Sequence, residues 1–334
     1  MPAKPNIVVF GTGGTIAAVS PDRMDFTRYG DVGRRMPVAE NLERLPEAKE
    51  IANLRAEDLY RTSSGEIGPK EWLNMARRIN ETFARDKTVD GIVLTHGTGT
   101  MEESAYFLNL TVKSNKPVVM TGSMRPASAI GTDADVNLYN AIKIAASPQA
   151  RGMGVVVCLN HQIHSAREVT KSDPLRVETF KTHEFGILGY ADSDGEVRFY
   201  RAPVRKHTTA TPFEVNGLTD LPRVDIVPLY AGGDDLLINA VRKNKSAGLV
   251  LSGVGGGSGS KVQRAAALAA VKEGMAVALS SRTSGGRVVM TPEREEEGFI
   301  SADDLRPLKA RILLMLALSM TKDRKAIQRM FYEM

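Results

Sequence analysis

Short apolar runs that stop abruptly at glycine recur along the first half of the chain. Ile7-Val8-Val9-Phe10 stops at Gly11-Thr12-Gly13-Gly14-Thr15, and Gly91-Ile92-Val93-Leu94 leads into Thr95-His96-Gly97-Thr98-Gly99-Thr100. Pro117-Val118-Val119-Met120 leads into Thr121-Gly122-Ser123, and residues 152–159 make a fourth run. Continuous β-branched runs of this length predict strands buried on both faces. Helical spacing lies between them: Trp72, Met75, Ile79 and Phe83 share one face, and a helix is expected through Asn137-Leu138-Tyr139-Asn140-Ala141. Residues 38–59 mix a short helical pattern with strand-like Ile51-Ala52-Asn53-Leu54. Alternating strands and helices imply right-handed crossovers and a mostly parallel sheet. A second series begins at Val224-Asp225-Ile226-Val227 and continues at Leu249-Val250-Leu251-Ser252 and Val277-Ala278-Leu279-Ser280. Helices are expected over 262–273, 308–320 and 325–334. Residues 181–212 read as a small β-region, and 208–222, rich in Thr, Pro, Asn and Gly, as a linker. The expectation is an α/β protein with domains at 1–207 and 223–334.

Composition narrows the class. The chain has 334 residues, 42% hydrophobic and 25% charged, ordinary for a globular protein with room for about two cores. Net charge is +5, but the basic residues are scattered and aromatics make up only 6%, which argues against nucleic-acid binding. No apolar run reaches the roughly 18 residues of a membrane span, and no signal peptide precedes the first strand, so a cytoplasmic location is expected. The single cysteine, Cys158, sits in an apolar run and reads as a buried strand residue. His161-Gln162-Ile163-His164 is not a zinc signature, and no metal site is expected.

The glycine turns carry the candidate chemistry. The first fails the dinucleotide fingerprint at Ile16 and lacks the Lys of a phosphate-binding loop, which counts against a nicotinamide oxidoreductase. It still leaves Thr12 and Thr15 at the carboxyl end of a strand, where open α/β sheets hold ligands. Taken alone, such a turn is as often only a turn. The Thr95–Thr100 turn repeats the design, and two such turns in one sheet would converge. Thr100 and Glu103 match a capping box. Residues 19–35 form a long polar loop of the kind that covers a site, with Tyr29 as its phenol. Ser64 stands in a turn cluster as a cap, a turn residue or a ligand hydroxyl. Pro292 to Glu297 reads as a solvated acidic run.

Taken together, these motifs resemble the bacterial-type L-asparaginase family. Thr12-Gly13-Gly14-Thr15-Ile16-Ala17 is similar to its first signature, and Leu94-Thr95-His96-Gly97-Thr98 with Thr100-Met101-Glu102-Glu103 to its second. The likeness continues through Ser123-Met124-Arg125-Pro126, Arg167-Glu168-Val169-Thr170-Lys171 and Gly253-Val254-Gly255, over nearly the whole chain. It implies a flavodoxin-like N-terminal domain with a mostly parallel sheet, a smaller α/β C-terminal domain, and a homotetramer built as a dimer of dimers. It implies hydrolysis of a small-molecule amide, by default the side-chain amide of L-asparagine, with no cofactor. Thr15 matches the nucleophilic threonine, Thr98 and Lys171 the second threonine and its lysine, and Tyr29 the lid tyrosine. Ser64 matches the serine on the substrate α-carboxylate, and Gly14, Gly97, Gly99 and Ser123 fall in the binding turns. Glu293 resembles a glutamate that approaches a neighbouring subunit's site. The chemistry is coherent: a threonine hydroxyl needs activation, a lysine serves as base only when its pKa is depressed, and backbone amides of glycine turns can hold an oxyanion.

One departure matters. Where the family's second signature has aspartate, this chain has Gly99. The resemblance makes that aspartate the partner of the substrate's α-ammonium group, and losing a charge-assisted hydrogen bond costs about 1.5–3 kcal/mol of binding. It also frees Lys171 of an anionic neighbour, favouring the neutral amine. Asp133-Ala134-Asp135 and Ser258 replace two further family residues, Ser258 another contact to that ammonium. The expectation is therefore an amidohydrolase for L-asparagine or a close analogue. An amide lacking the α-amino group is the alternative, unless Asp135 or one of Glu293 to Glu297 restores the charge. A non-catalytic binder is the reading from another class, and retention of Thr15, Thr98, Lys171 and Tyr29 together weighs against it.

Overall fold

The computed structural model describes residues 3–334. Two compact units divide it, one ending at Asn216 and the other running from Gly217 to Met334. In chain order the first unit's strands are β1 (Asn6–Gly13), β2 (Ala18–Val19), β3 (Arg34–Arg35), β4 (Asn53–Thr62), β5 (Val89–Thr95), β6 (Val118–Thr121), β7 (Val155–Leu159), β8 (Gln162–Ser165), β9 (Thr170–Lys171), β10 (Phe180–Lys181), β11 (Gly189–Ala191) and β12 (Val197–Phe199). Its helices are α1 (Tyr29–Val32), α2 (Val38–Glu43), α3 (Ala48–Ile51), α4 (Pro69–Arg85), α5 (Met101–Thr111) and α6 (Ala134–Ala146).

Eight of these strands form one sheet in the order β12-β11-β8-β7-β6-β5-β1-β4. The five from β4 to β7 are parallel, and β8, β11 and β12 add antiparallel strands at one edge. The parallel core runs β4-β1-β5-β6-β7, the flavodoxin-like order. Its strand order reverses between β1 and β5, and ligands in such sheets collect outside the carboxyl ends of the strands at that point. The apolar runs alternate between two covered faces. Ile7, Val9, Val93, Val119, Val156 and Cys158 join Leu138, Ala141 and Ala145 of α6 in one core. Helices α4 and α5 pack on β5 and β7 and add nothing to that core, so they cover the other face. There Trp72 stacks on Phe107 with ring centroids 5.6 Å apart.

The second unit holds β13 (Val224–Pro228), α7 (Leu236–Lys243), β14 (Gly248–Gly253), α8 (Lys261–Lys272), β15 (Ala276–Ser281), α9 (Pro292–Glu296), β16 (Ile300–Ser301), α10 (Pro307–Leu318) and α11 (Arg324–Glu333). Its four strands are parallel and lie in sequence order.

Several elements depart from expectation. β4 is a ten-residue edge strand that reaches Thr62, well beyond the short Ile51–Leu54 run; none of its residues is fully buried, so no apolar alternation announces it. The segment read as a linker is partly packed: Phe213 and Val215 are 1% exposed, and Thr211 accepts from Lys113 and donates to the Leu110 carbonyl. Thr100 does not cap α5 with its side chain, because its hydroxyl donates instead to the Ser64 carbonyl at 2.8 Å. Residues 19–35 are not a free loop: β2 pairs with β3, Ala127 N–H donates to Ala18, and the Asp25 carboxylate accepts from the amides of Thr27 and Arg28.

The two glycine turns meet. Gly14 has φ 80 and ψ −171, a conformation essentially confined to glycine. Its amide donates to the Thr62 carbonyl at 2.9 Å. A Cβ on Gly14 would stand 2.3 Å from the Gly97 Cα and 2.4 Å from its nitrogen, where only backbone could give way. Gly152 also has positive φ, but nothing lies within 4 Å of its Cβ position. We therefore expect Gly152→Ala to cost about 1 kcal/mol from backbone strain alone. Gly14→Ala adds a backbone collision and should cost at least about 3 kcal/mol. Urea unfolding of the two variants measures the difference.

Candidate active site

A cavity of about 310 Å³ opens at this switch point. Its wall is built from the ends of three neighbouring strands and from the covering segment. Gly14 and Thr15 follow β1, Ser63 and Ser64 follow β4, and Gly97, Thr98 and Gly99 follow β5. Thr27, Tyr29, Asp31 and Arg35 come from the covering segment, and Lys171 from β9.

Thr15 opens a single helical turn whose next residue, Ile16, is fully buried and anchors it. Its hydroxyl lies 2.9 Å from the Tyr29 hydroxyl, and either oxygen can donate. Lys171 donates through Nζ to Thr98 Oγ1 at 2.8 Å. Burial depresses the Lys171 pKa, opposed by the negative charge of Asp173. Thr98 is buried and Lys171 half-buried. The strand that carries Lys171 is held from behind by Glu102, whose Oε1 accepts from the Thr170 hydroxyl at 3.1 Å and from the Lys171 amide at 3.2 Å. The N–H groups of Gly97, Thr98 and Gly99 have no partner among the described residues and are donors available to a bound anion or oxyanion. The Gly14 amide is not available, because Thr62 occupies it.

A buried chain sets the orientation of the β5 turn. Trp72 Nε1 donates to Ser104 Oγ at 2.9 Å, and Ser104 Oγ lies 3.0 Å from His96 Nε2. His96 Nδ1 lies 2.8 Å from the Gly97 carbonyl oxygen. The indole can only donate, so Ser104 is left to donate to Nε2, and the proton of a neutral His96 belongs on Nδ1, facing Gly97. The imidazole thereby fixes the peptide that precedes Thr98.

Several expected residues stand elsewhere. The Thr12 hydroxyl is buried and donates to the Thr95 carbonyl at 2.8 Å, tying β1 to β5 rather than facing the cavity. Ser123 is fully buried, donates to the Arg125 carbonyl, and does not line the cavity. Asp135, considered as a replacement carboxylate, is paired with Arg44 at 2.7 Å and is also outside the lining. Asp133 accepts from the amides of Met124 and Arg125. Glu293 lies on α9 in the second unit, where a hydrogen bond with Thr291 lowers its pKa, and Glu297 there is held by Arg264. Asp31 and Arg35 were not singled out from the sequence. A polar residue in a polar loop gives no signal of facing a cavity.

Burial pushes the His96 pKa down to about 4, against the pull of the Gly97 carbonyl. The unfolded chain binds a proton near the ordinary value of 6.5 while the folded chain does not, so His96 makes no pH-dependent demand above 6.5. Below it, folded stability falls until about pH 4 and then levels. The slope attributable to this group approaches about 1.4 kcal/mol per pH unit. Urea unfolding from pH 7 to 4 should therefore be less acid-sensitive in His96→Asn than in the wild-type chain.

The chain matches two family models in tandem: the N-terminal asparaginase domain over residues 6–205 and the glutaminase/asparaginase C-terminal domain over residues 223–331. It is 45% identical to L-asparaginase 2 of Bacillus subtilis, covering 98% of this chain and 86% of that protein. It is 42% identical to L-asparaginase 2 of Escherichia coli, covering 98% and 93%. A crystal structure of a probable cytoplasmic L-asparaginase from Campylobacter jejuni superposes with a TM-score of 0.94 at 41% identity, covering 99% of this chain and all of that one. With both family models matched along its length, and with relatives this similar over nearly every residue, the chain belongs to the asparaginase family.

Proposed function

We propose that the protein hydrolyses the side-chain amide of L-asparagine to L-aspartate and ammonia, with Thr15 as nucleophile. The observation that carries this is the opening of two activated hydroxyl pairs, Thr15–Tyr29 and Thr98–Lys171, into one cavity. In this mechanism Thr15 Oγ1 attacks the amide carbonyl and forms a tetrahedral oxyanion. Unpaired turn amides, such as those of Thr98 and Gly99, stabilise that charge. The C–N bond then breaks, and ammonia leaves with a proton passed through the hydroxyls. Water attacks the acyl-Thr15 ester and releases the acid. Lys171, whose pKa burial lowers, accepts a proton in its uncharged form by way of Thr98. Ser64 and the Gly97–Gly99 turn bind the substrate's polar head. The names of the relatives favour L-asparagine over an amide without the α-amino group.

A homotetramer that brings Glu293 to a neighbouring copy's site is carried by family resemblance, and sedimentation velocity tests it. A cytoplasmic location is carried by the description of the Campylobacter neighbour. Among the described residues no helix is long and apolar enough to cross a membrane.

Ammonia release from L-asparagine should be abolished in Thr15→Ala and fall by about 10²–10⁴ in Lys171→Met, the range of an acid–base contribution. Because burial favours the neutral amine, kcat/KM should rise with pH through a value below the ordinary 10.5 of lysine. Lys171→Met should lose that limb. Full activity in Thr15→Ala would overturn the assignment.

A further inference from the structure

We propose that Asp31, on the covering segment, is the anionic partner of the substrate's α-ammonium group. The inference rests on the hydrolase reading and adds to it the residue that selects an amino-acid amide. The cavity wall contains one carboxylate, Asp31, and two basic side chains, Arg35 and Lys171. Lys171 is committed to Thr98. Asp31 makes no side-chain hydrogen bond or ion pair with any described residue, although Arg28, Arg34 and Arg35 are close in sequence. Arg34 is instead held by Glu40, and the Arg28 amide is taken by Asp25. An unpaired carboxylate beside a small polar cavity is a site for a cation that the structure itself does not supply.

Position favours the same role. Asp31 follows Tyr29 by two residues within α1, and Tyr29 touches the Thr15 hydroxyl at 2.9 Å. An ammonium group held by Asp31 would therefore fix the same turn that positions the nucleophile's partner. The facing wall carries no charge of its own. Gly99 has no side chain, and a Cβ there would stand 2.9 Å from Ser64 Oγ. The bare glycine leaves the Ser64 hydroxyl uncrowded and the space before it open to a group reaching from the covering segment. Outside the lining, Asp135 is committed to Arg44, Glu102 to Thr170 and the Lys171 amide, and Asp58 to the Val38 amide. A charge-assisted contact of this kind discriminates strongly against a ligand without the ammonium group.

The test is the ratio of kcat/KM for L-asparagine to kcat/KM for succinamate, its desamino analogue, in the full-length protein. In Asp31→Asn and Asp31→Ala that ratio should fall about tenfold or more, carried mainly by KM for L-asparagine. An unchanged ratio overturns the proposal, whether both rates stay put or both fall together because the covering segment is disturbed. Calorimetric binding of L-aspartate and succinate reads the same contact without turnover. Wild-type preference for L-aspartate should be lost in Asp31→Asn, and a preference retained in the variant also overturns the proposal. If the wild-type chain hydrolyses neither amide, the hydrolase reading fails, and the binding comparison still decides the role of Asp31.

Discussion

The backbone contact between Gly14 and Gly97 governs the arrangement of everything around it. Two strands of a parallel sheet end side by side where the strand order reverses, and their turns approach so closely that Gly14 has no room for a side chain against the Gly97 backbone, while Gly97 is closed in by Ser64. That approach brings Thr15 from one turn and Thr98 from the other to the same cavity wall. The Gly14 amide is spent on Thr62, which pins the first turn to β4, and the His96 imidazole is spent on Gly97, which pins the second. Both turns are thus held by hydrogen bonds that water does not reach, and their hydroxyls are left for chemistry.

The site is arranged as two separate activated pairs. Tyr29 attends Thr15 from an exposed covering segment, whereas Lys171 attends Thr98 from a strand fixed by buried Glu102. The depressed pKa of Lys171 arises from burial, and the Gly99 position spares it a carboxylate that would oppose the effect.

Much of this was legible in the residues. The buried runs of β1, β5, β6 and β7 are continuous and apolar because helices cover both faces, and α4 shows its buried stripe at helical spacing. The signatures around Thr15, Thr98 and Lys171 pointed to the residues that line the cavity. The failures have a common cause. β4 is an edge strand with little burial, Thr100 gives its hydroxyl to a carbonyl on another turn, and Asp31 is a polar residue among polar neighbours. For β4 and Thr100 the decisive partner lies far along the chain, and for Asp31 the cavity is assembled from distant segments, so neither spacing nor composition records it. The His96–Ser104–Trp72 chain was hidden for the same reason: indole and imidazole are 24 residues apart in sequence and meet only through the α5 hydroxyl.

The central claim is that the hydroxyl beside Tyr29, and not the one beside Lys171, forms the covalent intermediate. Rapid acid quench of the protein during turnover of L-asparagine, followed by proteolysis and mass spectrometry, addresses it directly. The account predicts an aspartyl ester on the peptide that carries Thr15. An ester on the peptide that carries Thr98 would contradict it.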